Sequence, residues 1–145
     1  MSTDTHTKDQ IVYSTCLTLI KHIKNHIIEQ RDGIHTRIFS HILHPEEKFV
    51  YIGRSAEATS ETQNHPEHVV PCKTLITETR RLLEEGRLSE DEIAKLLQRH
   101  WKIATITKVQ ANRIDRKYKS TMPVGWCFEK GDTLARLNEA GIAVA

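Results

Sequence analysis

Apolar residues in the first third of the chain recur at threes and fours: Ile11, Val12, Leu17, Leu19, Ile20, Ile23, Ile27 and Ile28. That spacing predicts an amphipathic helix over residues 11–30, ended near Gly33. Ile34, Ile38 and Ile42, at intervals of four, predict a second helix over 34–43 that stops ahead of Pro45. A short apolar and aromatic run over 49–53 suits a strand, and the polar stretch 54–64, which has no periodicity, reads as a loop. Residues 65–71 set β-branched residues between two prolines and predict only a short extended segment. Leu75, Ile76, Leu82 and Leu83 share a helical face that should stop at Gly86. Ser89 with Glu92, and Thr107 with Gln110, form capping-box patterns that open helices running to about His100 and Tyr118. Between those helices, residues 101–106 alternate and are β-branched, as a strand is. Residues 133–140 predict a last short helix closed by Gly141.

The mixture is that of an α+β chain. Its 145 residues suit one domain, in which 1–45 form a helical N-terminal part, 46–126 a core and 127–145 a tail helix. A chain this long needs no disulfide or structural metal to fold. Cys16, Cys72 and Cys127 stand far apart without CxxC spacing, which argues for reduced thiols in a cytosol. Lys and Arg number 21 against 19 Asp and Glu, a net charge of +2 that excludes a histone-like coater of DNA; any nucleic-acid contact must be local. Residues 1–10 lack the basic head and apolar run of a signal peptide, and no window approaches the roughly 20 apolar residues of a membrane span. The expectation is a cytoplasmic protein that does not enter a membrane.

The candidate chemistry centres on Glu67 and His68, an acid and an imidazole between Pro66 and Pro71. Neighbours in a regular strand point to opposite faces, so sharing one ion would require a distorted backbone at Pro66. A neutral imidazole of pKa near 6.5 is matched to taking a proton from water, and Glu and Asn oxygens suit Mg²⁺ or Mn²⁺. His65 and His68 in HxxH spacing would need Cys72 to complete a zinc site. His100 has a competing role as a cation at a helix C-terminus. His22 and His26, at i and i+4 without the Glu of HExxH, read as polar-face residues, and Trp101 and Trp126 as core or interface anchors. Arg54, Lys73, Lys108, Arg113, Arg116 and Lys117 make the second half basic, densest in ArgLysTyrLys at 116–119. They are either a solvated helix end or phosphate contacts, which would be salt-sensitive and blind to sequence.

The stretch GluHisValValPro at 67–71 resembles the first signature of the HNH nucleases, the ββα-metal family. The resemblance implies a ββα-metal core in which 68–70 is the first strand, 101–106 the second, 109–118 the metal-binding helix and 71–98 a helical insertion. It implies a metal-dependent DNA endonuclease with His68 as general base, Glu67 and Asn112 on a divalent ion, Mg²⁺ or Mn²⁺ rather than zinc, and His100 assisting. SerThrMetPro at 120–123 is similar to the tails of some members. The long insertion, His100 where the family carries an Asn, and a single helix ligand are departures. They keep a second reading open, a nuclease-like module without turnover that binds nucleic acid or a protein partner. A third is a helical regulatory protein that forms a homodimer through its N-terminal helices.

Overall fold

The computed structural model describes residues 7–145, so part of the polar stretch at 1–10 lies outside the described residues. The first helix, α1 (Lys8–Ile28), opens on a capping box: the Thr7 hydroxyl accepts from the Gln10 amide, and the Gln10 side chain accepts from the Thr7 amide. The box starts the helix three residues ahead of the apolar pattern, because capping satisfies amides that would otherwise lack partners. Val12, Cys16, Leu19, Ile20 and Ile23 are buried against α3 (Glu47–Val50), α4 (Cys72–Glu85) and α5 (Glu90–His100). Each large aliphatic side chain so buried contributes about 1.5–3 kcal/mol. Much of the apolar pattern is thus covered within the chain, while Leu17 and Ile28 stay exposed.

The helix expected over 34–43 shrinks to α2 (Ile38–Ile42). Gly33 turns at φ 82°, and the Arg37 amide donates to the His35 ring rather than to a helical carbonyl. The strand expected over 49–53 is half helix: α3 ends at Val50, and β1 (Tyr51–Arg54) follows. Gly53 sits at φ 134°, where an added Cβ would come within 2.5 Å of the Ala145 carbonyl oxygen, so only glycine lets the C-terminal residues lie against this strand.

The sheet has three strands in the order β1-β3-β2. The central strand, β3 (Ile103–Thr107), is parallel to β1 and antiparallel to β2 (Asn64–His68). Its residues are apolar or β-branched and mostly buried on both faces, as a central strand requires. Pro66 lies on β2, an edge strand, where its missing N–H costs no ladder bond. The extended segment expected within 65–71 is β2, but the first strand that the resemblance sets at 68–70 instead ends at His68; Val69 and Val70 are fully buried in two different cores.

Thr107 ends β3 and caps α6 (Lys108–Tyr118) through the expected capping box with Gln110. One face of the sheet packs on the helices α1, α3, α4 and α5. The other packs on α6 and the short α7 (Ala135–Glu139) through Val69, Ala104, Ile106, Ala111, Ile114 and Leu137. Among the described residues no helix is long and apolar enough to cross a membrane.

Candidate functional site

The register of β2 on β3 is unbroken from Asn64 opposite Thr107 to His68 opposite Ile103. The distortion expected at Pro66 is absent, because an edge proline fits the regular ladder. Glu67, opposite Ala104, therefore points to the α6–α7 side, and His68, opposite Ile103, to the α3–α4 side.

Each of the two meets a partner of opposite charge that sequence reading missed. On the α7 side, Arg136 is fully buried; its Nη2 donates to Glu67 Oε2 at 2.7 Å and to the His68 carbonyl, and its Nη1 donates to the Tyr118 carbonyl at 2.8 Å. The other Glu67 oxygen lies 3.3 Å from His65 Nε2. On the α3 side, Glu46 Oε2 accepts from His68 Nε2 at 2.6 Å and from Trp101 Nε1 at 2.6 Å. Burial by itself would push the His68 pKa down. The Cys72 thiol beside the ring and the Glu46 carboxylate outweigh burial and hold it at about 10, so His68 is an imidazolium at neutral pH. A proton acceptor is what the expected general base would need to be, and this ring is already charged and bonded.

His100 is fully buried at the end of α5. Its Nε2 donates to the Phe128 carbonyl at 2.8 Å, and its Nδ1 is 2.8 Å from the Thr133 hydroxyl. Burial lowers its pKa, outweighing the Phe128 carbonyl bond, and the ring packs against Trp126 and Phe128 as a neutral core residue. Asn112 is exposed on α6. Glu67, His68, His100 and Asn112 thus have four separate environments.

A divalent ion does not fit at Glu67: the carboxylate already faces a buried guanidinium at 2.7 Å, and an added cation would meet that charge at close range. Among the described residues no three His, Cys, Asp or Glu side chains stand already gathered to hold a metal ion.

The basic residues divide in the same way. Arg113 donates to the Ala140 carbonyl, and Lys117 pairs with Glu139 at 3.2 Å, so both brace α6 against α7. Lys108, Arg116 and Lys119 are exposed and, among the described residues, form no ion pair. With Asn112 they fall at i, i+4, i+8 and i+11, a single stripe along α6 about 16 Å long, in which Asp115 is the one acid. Arg54 and Lys73 are exposed on β1 and α4 and do not belong to the α6 stripe.

Arg136 had a faint signal, a cation inside the apolar run LeuAlaArgLeu; Glu46, in ProGluGlu, had none. Comparison of the chain with family models, with curated proteins and with solved structures finds no match.

Proposed function

We propose that this chain is a nucleic-acid-binding module whose α6 lies against the phosphate backbone of duplex DNA and which does not hydrolyse it. The observation that carries this reading is the stripe of Lys108, Arg116 and Lys119, cations that form no ion pair among the described residues, on a helix fixed to the sheet by Ala111 and Ile114. A helix held by its own core presents these charges without having to order itself on binding, which lowers the entropic cost of association. The contacts are to phosphate, so affinity falls with salt and carries little sequence preference. The absence of turnover follows from Glu67 and His68, which diverge to opposite faces and are each held in an internal ion pair.

One observation favours a second reading, metal-dependent hydrolysis of DNA of the HNH type: β2 and β3 pair antiparallel, and α6 follows β3 directly, in the ββα order that GluHisValValPro implies. The two readings part in one experiment, incubation of supercoiled plasmid with wild type and His68→Ala in Mg²⁺, in Mn²⁺ and with chelator. The binding reading expects no nicking by either protein and retention of duplex by both. Metal-dependent nicking by wild type that a folded His68→Ala lacks would overturn it in favour of hydrolysis.

A further inference from the structure

The segment that leaves α1 folds back beside it and borders an open cleft of about 440 Å³ with imidazoles on its walls: His22 and His26 from α1, His35 from the connection and His41 from α2. His22 and His26, one turn apart, have ring centres 4.7 Å apart. The polar-face reading of this pair does not hold for His26, which is only 8% exposed. Its Nδ1 is buried and, among the described residues, has no hydrogen-bond partner. A buried ring nitrogen without a partner is costly unless something else satisfies it, and a neutral imidazole offers a lone pair.

We propose that this cleft binds a divalent transition-metal ion of the zinc class, held by the imidazoles of His22, His26 and His41. The i, i+4 pair sets two imidazoles side by side on one wall, and His41, exposed on the facing α2, offers a third; the three are not gathered in this structure, so binding requires their side chains to turn toward one point. His35 is not a ligand, because its Nδ1 accepts the Arg37 amide at 3.1 Å and its Nε2 therefore carries the proton. Three imidazoles leave a fourth position to water, and among the described residues no carboxylate lines the cleft, whose wall also carries Arg37; imidazole donors alone suit zinc, cobalt or nickel rather than magnesium.

The test is titration of the chain, free of any polyhistidine tag, with Zn²⁺ by calorimetry and with Co²⁺ by visible absorption. One ion per chain is expected. His22→Ala and His41→Ala, both at positions outside the core and checked for fold by circular dichroism, should each weaken binding by about tenfold or more, whereas His35→Ala and His65→Ala should leave it unchanged. No saturable binding, binding that survives both His22→Ala and His41→Ala, or loss in His65→Ala instead would each overturn the proposal.

Discussion

Removing the charge of Glu46 while keeping its shape should release His68. In wild type the His68 ring is expected to titrate near 10, and in Glu46→Gln, which removes one of its two raising neighbours and leaves Cys72 in place, to titrate measurably lower, as read from its Cε1 proton by NMR. The folded pKa lies above the unfolded one, so the pair's contribution to stability is complete below about pH 6.5 and is lost as pH rises through 10. The difference in Tm between wild type and Glu46→Gln should narrow across that window; a wild-type midpoint near 6.5 would contradict the ion pair. On the opposite face, Glu67→Ala leaves the Arg136 guanidinium buried without its counter-charge and should cost about 3–5 kcal/mol in denaturant unfolding. Replacing both, Glu67→Leu with Arg136→Met, should restore most of that loss, and a near-neutral Glu67→Ala would show that the pair carries no such weight. Local pattern singled out Glu67 and His68, but their partners lie 69 residues later and 22 residues earlier, distances at which spacing along the chain holds no information.

Elements with their own end signals were legible, and those set by tertiary contact were not. Gly86 ends α4 at φ 68°, and the boxes at Ser89 and Thr107 start α5 and α6 where capping chemistry places them, because these are exchanges among four consecutive residues. Thr107→Ala should cost about 1 kcal/mol and speed amide exchange in the first turn of α6; unchanged exchange there would contradict the cap. Ile34, Ile38 and Ile42 satisfy a helical period, yet the chain must turn at Gly33 to fold back beside α1, and only five residues remain helical. The extended segment read within 65–71 is present, whereas the strand that the resemblance set at 68–70 is shifted: the ladder runs over Asn64–His68, because the next two valines leave the strand to fill the two cores.

At the scale of the molecule, the α+β class was readable from the alternation of helical and strand periods. The pairing of β2 with β3 across two intervening helices came only from the resemblance, since no local signal records a strand's partner. Net charge pointed to local contacts, but which cations stay free depends on α7, which takes up Arg113 and Lys117 and leaves the α6 stripe to solvent. That stripe is the central claim, and the most direct measurement is the anisotropy of a labelled duplex titrated with the chain over a range of salt concentrations. Three phosphate contacts predict a slope of log affinity against log salt of about −3, flattened by about two units in the double variant Lys108→Glu, Arg116→Glu. Failure of wild type to bind at low salt, or an unchanged slope in the variant, would contradict the account.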